Sequence, residues 1–193
     1  MAEMRITGGE LRGRRLYVPK AGIRPTTGRV REALFSMLGS VEGAIVLDLF
    51  SGSGALGIEA LSRGAAEATF VDVKPGAVRR NLEELGITGG EPDRGRVVKA
   101  DVLDFLEREA SFGPTMRYDL ILCDPPYRLA AGLATGLDIL IPGVLAEGGR
   151  VVIETTARDP LELSYPLTKD RSYGDTLVRV YTPAPVDAGK EQS

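Results

Sequence analysis

The chain has 193 residues, 43% hydrophobic and 26% charged, a composition that suits one soluble domain with a full core. It holds no histidine and one cysteine, Cys123, which excludes an internal disulfide, a Cys/His metal centre and a histidine general base. The net charge of −3 is split: residues 1–40 carry eight Lys/Arg against three acids, and the remainder carries −8, so a polyanion contact is expected at one end.

No apolar run approaches the length of a membrane span, and the first residues lack a signal-peptide core, so a cytoplasmic location is expected. Residues 4–7 and 14–18, separated by Gly8, Gly9 and Gly13, read as two short strands of a hairpin. Pro19 and Gly22 end it. Pro25 disfavours helix at Arg24. Thr26 or Thr27 can cap a helix whose apolar stripe is Val30, Ala33, Leu34, Met37 and Leu38.

From residue 44 strands and helices alternate. Strands are expected at 44–49, 68–73, 96–99, 118–123 and 149–154, and helices at 54–63, 75–85, 102–109 and within 129–141. Two further β-like runs, 163–168 and 176–181, with a turn at 172–175, read as a closing antiparallel hairpin. The alternation argues for an α/β fold with a doubly wound, mainly parallel sheet. The expected organisation is a basic N-terminal extension over 1–40, one α/β domain over 41–182, and a disordered tail over 183–193.

In such folds ligands lie at the carboxyl ends of the strands. Four polar positions fall on that edge: Asp48 to Gly54 after the first strand, Asp72 after the second, Asp101 after the third and Asp124-Pro125-Pro126-Tyr127 after the fourth. Gly52-Ser53-Gly54-Ala55-Leu56-Gly57 satisfies G-x-G-x-x-G, which by itself fits NAD and FAD proteins equally. Asp72 suits ribose hydroxyls under either reading. Asp101 can accept from an adenine amino group, with the Val102 N–H facing a ring nitrogen, and can cap the following helix; the two roles are compatible. Two prolines after a buried strand make a rigid corner without N–H donors. There Asp124 and the Pro125 carbonyl can each accept one N–H of a planar base's exocyclic amine, with Tyr127 stacked on the ring.

These motifs, in this order and on these strands, resemble the class I S-adenosylmethionine (SAM)-dependent methyltransferases that act on exocyclic amines. Together with Arg5-Ile6-Thr7-Gly8-Gly9, Arg12-Gly13-Arg14, Arg24-Pro25-Thr26-Thr27 and Arg29-Val30-Arg31-Glu32 they resemble the RsmD family, over roughly residues 4–182. Gly28 stands where an aspartate is expected in that family. The resemblance implies a seven-stranded sheet of order 3-2-1-4-5-7-6 and methylation of N2 of one guanine in 16S ribosomal RNA within the small ribosomal subunit. It implies SAM held by Asp48, Phe50, Ser51, Gly52, Ser53, Gly54, Asp72, Val73, Asp101 and Val102, and catalysis at Asp124, Pro125, Pro126 and Tyr127. RNA phosphates are assigned to Arg5, Arg12, Arg14, Arg15, Arg24, Arg29 and Arg31; no metal and a monomer are expected. A DNA adenine-N6 methyltransferase shares the same corner, but core elements fill the 66 residues from Gly57 to Cys123 and leave no room there for a sizeable target-recognition insert. A SAM- or RNA-binding module without catalysis is the other alternative; the intact 124–127 set argues against it.

Overall fold

The computed structural model describes residues 4–19, 27–89, 93–111, 116–126 and 130–183. Tyr127, Arg24 and Thr26, and the expected tail beyond 183, lie outside the described residues. The chain begins with a two-stranded antiparallel ribbon, β1 (Met4–Arg5) and β2 (Arg15–Leu16), closed by the bonds Ile6 N–H to Arg14 carbonyl and Gly13 N–H to Ile6 carbonyl. Helix α1 (Gly28–Leu38) follows, capped by Thr27, whose hydroxyl accepts the Val30 N–H.

Then come β3 (Ile45–Leu49), α2 (Ala55–Ser62), β4 (Glu67–Asp72), α3 (Gly76–Leu85), β5 (Gly95–Lys99), α4 (Val102–Ser111), β6 (Tyr118–Cys123) and α5 (Ala130–Val144). The last strands are β7 (Leu145–Thr156), β8 (Leu167–Tyr173) and β9 (Thr176–Tyr181). The seven strands from β3 onward form one sheet of order β5-β4-β3-β6-β7-β9-β8. Counted from β3, this is the 3-2-1-4-5-7-6 order that the resemblance implied. The first five strands are parallel, and β9 returns antiparallel between β7 and β8.

The sheet separates two apolar clusters. Val46, Phe70, Leu122 and Val152 pack with α1, α2, α3 and the ribbon residues Met4, Ile6 and Leu16. Leu47, Leu49, Ile121, Cys123 and Ile153 pack with α4 and α5. Consecutive strand residues thus alternate between the two faces, as a doubly covered parallel sheet requires. The ribbon and α1 cover the outer side of α2, so all eight residues of α2 are buried. A helix apolar all round is an interior helix.

Three expectations shift. The strand expected at 149–154 runs from Leu145 to Thr156. The strand expected at 163–168 forms instead at Leu167–Tyr173, because Leu161 and Leu163 turn into the α5-side cluster before the strand starts. That strand pairs with β9 alone, and six of its seven residues are exposed. Between Leu167 and Tyr173 this edge strand is polar and carries no alternation for periodicity to detect. Helix α5 continues through Pro142 to Val144. Gly136 and Gly143 let α5 close onto Leu103 and Ala110 of α4; an added Cβ would stand 2.8 Å from each of these two side chains.

Candidate functional site

The glycine turn joins β3 to α2 at the carboxyl edge of the sheet. Phe50 leaves the strand with φ 57°, a left-handed conformation that a bulky side chain rarely adopts, and so reverses the chain at the edge. Gly52 (φ 54°) and Gly54 (φ 77°) continue the reversal. The turn is tied down on each side. Gly52 N–H donates to Asp72 Oδ2 at 2.8 Å, Ser51 N–H to the Val71 carbonyl at 3.1 Å, and Gly54 N–H to the Ser51 carbonyl at 2.6 Å. Asn81 of α3 donates its amide to the Ser53 carbonyl at 2.8 Å.

Asp48, in the strand below, accepts the Gly57 N–H at 2.9 Å from the first turn of α2. Gly57 permits this close approach: a Cβ there would lie 2.4 Å from the Phe70 ring and 3.0 Å from Asp48 Oδ2. Burial pushes the Asp48 carboxyl up to about 8; the Gly57 N–H opposes the shift, while the charges of Asp124 and Asp72 add to it.

Asp48 and Asp72 are not alone. Asp48 pairs in register with Phe70 and Leu122, and Cys123 with Ile153. Two residues beyond Phe70, Leu122 and Val152 on the α1–α3 face come Asp72, Asp124 and Glu154. Four carboxylates from four adjacent strands therefore line one face of the edge. Asp124 is half-buried, Pro125 buried and Pro126 exposed. Among the described residues no three acidic, histidine or cysteine groups form a set that could hold a metal ion. Burial keeps Asp48 protonated up to about pH 8 and the Arg31 guanidinium offsets Glu154, so Asp72 and Asp124 are the carboxylates of the row that favour a ligand carrying positive charge.

Asp101 caps α4: its Oδ1 accepts the Leu103 N–H at 2.9 Å, while its carbonyl accepts the Phe105 N–H. The capping role is thus realised. The first-turn Val102 N–H has no intrahelical acceptor, and Asp101 and Val102 follow directly on the end of β5 at the same edge of the sheet. The Val102 side chain itself is 2% exposed and packs inward, whereas Val73 is 54% exposed beside Asp72. Ser51 Oγ is buried with no hydrogen-bond partner among the described residues, a polar atom set for a ligand.

The basic segment divides. Arg5, Arg12, Arg14, Arg15 and Arg29 are exposed. Arg31 is not: it is fully buried, donates to the Arg5 carbonyl at 2.5 Å and faces Glu59 of α2 at 3.6 Å. Burial lowers its pKa, while Glu59 and Glu154 hold its charge. The expectation that Arg31 meets RNA phosphate is therefore corrected; its guanidinium neutralises two interior carboxylates. Glu59, also at 0% exposure, gathers the Thr7 N–H at 2.9 Å, the Thr7 hydroxyl at 2.6 Å, the Gly8 N–H at 2.8 Å and Arg63 Nε at 3.0 Å. The ribbon, α1 and α2 are thus joined at one carboxylate. Sequence reasoning passed over Glu59, Asn81 and Glu154. A lone acid inside an otherwise apolar helix was the available signal for Glu59.

A cleft of about 860 Å³ opens at the opposite, amino edge of the sheet, between the ribbon and the starts of the strands. Its arginines are already paired, Arg94 with Glu10 and Arg63 with Glu59. The strand-end residues above do not line it.

The sheet order, the glycine turn after β3 and the Asp-Pro-Pro corner after β6 define a methyltransferase of the class I fold. The family model described as "Conserved hypothetical protein 95" matches residues 4–182. The chain is 34% identical over 185 residues to ribosomal RNA small subunit methyltransferase D of Escherichia coli K12, covering 93% of this chain and 89% of that one. It is 31% identical over 191 residues to the protein of the same name in Haemophilus influenzae, covering 93% of each. The solved structure of yhhF from Escherichia coli, described as a candidate methyltransferase, superposes with a TM-score of 0.79 at 33% identity, covering 95% of this chain and 99% of that one. The chain belongs to the ribosomal RNA small subunit methyltransferase D family.

Proposed function

We propose that this chain is a SAM-dependent methyltransferase that modifies the N2 amine of a guanine in 16S ribosomal RNA, within the small subunit or a precursor of it. The observation that carries the reading is the row of carboxylates on one face of the sheet edge, with a proline corner at its centre. SAM, bound there, supplies an electrophilic sulfonium methyl group. The site fits it: Asp72 and Asp124 would offset the charge of its sulfonium and ammonium groups, Asp48 would accept or donate one hydrogen bond, and Ser51 Oγ is a buried polar atom without a partner among the described residues. At Gly52 an added Cβ would meet nothing nearer than 3.9 Å, which leaves room for the methionine end, whereas Gly54 lets the turn close on Val78 and Phe70. Asp72 would accept from the ribose hydroxyls through lone pairs that its backbone donors do not use. The Val102 N–H and the Asp101 carboxylate would meet the adenine edge, and Val73 would cover its face.

The chain's own work in transfer is placement and charge. Asp124 and the Pro125 carbonyl accept the two N–H bonds of the guanine amine, which draws its lone pair out of conjugation. Because Pro125 and Pro126 donate no N–H, this corner offers acceptors only. Tyr127 stacks on the flipped base, which must leave its own stack to enter. As the new N–CH₃ bond forms, the donor's S–CH₃ bond would break and leave a neutral thioether, and the amine proton would pass to Asp124 or to bulk water. Arg5, Arg12, Arg14, Arg15, Arg24 and Arg29 hold RNA phosphates. The N-terminal extension, residues 1–40, thereby supplies the substrate contact and residues 41–182 the chemistry, in a cytoplasmic monomer.

Asp124→Ala should still bind SAM, at most about 10-fold more weakly than the parent by calorimetry, and lose at least about 100-fold in methyl transfer to undermethylated small subunits. Turnover within a few-fold of the parent would sink the role given to Asp124. Labelled methyl groups appearing on duplex DNA rather than on rRNA would sink the substrate.

A further inference from the structure

Tyr17 lies just beyond β2 and is 42% exposed; among the described residues only Val73, Ile139 and Leu167 are large hydrophobics of comparable exposure. Its backbone is nevertheless fixed. Tyr17 N–H donates to Asn81 Oδ1 at 2.7 Å, and the Asn81 amide donates to the Tyr17 carbonyl at 2.9 Å. The same amide nitrogen donates to the Ser53 carbonyl in the glycine turn. Asn81 itself is 1% exposed, so Tyr17 is anchored to the donor loop through a buried side chain.

One face of the Tyr17 ring is covered by the Arg80 guanidinium, 4.2 Å from the ring centroid. Glu84 holds Arg80 Nε at 2.6 Å, and the Glu84 carbonyl accepts from Arg14 at 3.1 Å. Exposed Arg15 lies in β2, next to Arg14 and two residues before Tyr17. An aromatic face and a guanidinium plane, both held in place, with Arg14 and Arg15 on the adjoining ribbon, match the chemistry that unpaired nucleobases and their phosphates require.

We propose that Tyr17 and Arg80 form a stacking platform for an unpaired nucleotide flanking the target guanine, placed against the donor loop by Asn81. This rests on the reading of the chain as an rRNA methyltransferase and adds a base contact to the phosphate contacts named above. Stacking on an aromatic ring tolerates any base, so the platform contributes affinity and register and leaves base choice to the Asp124 corner.

The test uses the full chain with small-subunit rRNA, naked and in undermethylated subunits. Tyr17→Ala is expected to bind rRNA about 5- to 100-fold more weakly and Tyr17→Phe within about twofold of the parent. Both should keep the parent's SAM affinity, which reports an intact donor loop. The chain has no tryptophan, so Tyr17→Trp supplies a single fluorophore whose emission a stacked base quenches. Quenching by naked rRNA together with the loss in Tyr17→Ala supports the platform. Tyr17→Ala binding within about twofold of the parent, or unchanged emission at saturating rRNA, overturns it. Quenching by assembled subunits but not by naked rRNA assigns the surface to a ribosomal protein and overturns it equally. If the unaltered chain neither binds nor methylates small-subunit rRNA, the substrate reading fails first, and the platform with it.

Discussion

Glu59→Gln is the substitution that most directly tests how the N-terminal extension is held. The carboxylate is fully buried and accepts from Thr7, Gly8 and Arg63 while facing the equally buried Arg31. Glutamine keeps the shape but replaces one accepting oxygen with a donating NH₂, which must then point at an existing donor. It also leaves the Arg31 charge facing a neutral group. Breaking one side of a buried ion pair costs about 3–5 kcal/mol. A lost charge-assisted hydrogen bond costs about 1.5–3 kcal/mol, and the two losses overlap and do not add. The expected loss is therefore about 3–5 kcal/mol, or roughly 6–20 °C in Tm for a domain of this size.

Urea titration and a thermal scan measure that loss. Trypsin supplies a local readout, because Arg12, Arg14 and Arg15 are exposed on the ribbon that Glu59 anchors, and cleavage there should quicken. Arg31→Met added to Glu59→Gln removes the charge facing glutamine but strands buried Glu154, so recovery of at least about 1 kcal/mol is expected only when Glu154→Gln is added as well. Glu59→Gln within about 0.5 kcal/mol of the parent, or a triple variant no better than the single, would refute the interior role of these charges.

Other outcomes follow from the donor loop and the basic ribbon. Asp48 has its folded pKa raised to about 8, so the native state holds this proton more tightly than the unfolded chain does. The stability it contributes is full below about pH 4 and drains away as pH rises towards about 8. At about 1.4 kcal/mol per pH unit, Asp48→Asn should gain on the parent by up to about 4 kcal/mol between pH 5 and pH 8 in urea midpoints; parallel pH slopes would contradict the burial argument. Gly57→Ala forces a methyl against the Phe70 ring and Asp48, and should cost about 1–3 kcal/mol and weaken SAM binding in calorimetry. Unchanged affinity and stability would show that the helix can retreat. Replacing Arg12, Arg14 and Arg15 together should weaken rRNA binding and flatten its log–log salt dependence by roughly 2–3 units. An unaltered slope would remove them from the interface.

The strand ends, the glycine turn and the Asp124 corner were legible from the residues themselves. Each depends on local chemistry: a two-residue alternation, a positive φ that glycine accepts, a proline that donates nothing. Strands β6 and β9 fall on their expected bounds for that reason, and Gly86 ends α3 in the left-handed conformation expected of a stop. The 3-2-1-4-5-7-6 order was available from the family resemblance alone, since spacing does not say which strands are neighbours.

Tertiary structure decided what covers what. Arg31 and Arg29 are two residues apart on one helix in one basic run, yet one is interior and the other exposed, because only Arg31 faces Glu59 on a helix that the ribbon and α1 bury. Likewise, nothing around Tyr17 announces its link to Ser53, which arises because Asn81, 64 residues later, reaches both. Charge and hydropathy along a chain report what each residue tolerates. Whether an arginine holds a phosphate or a buried carboxylate depends on which surface folds against it, and that is set by contacts far apart in sequence.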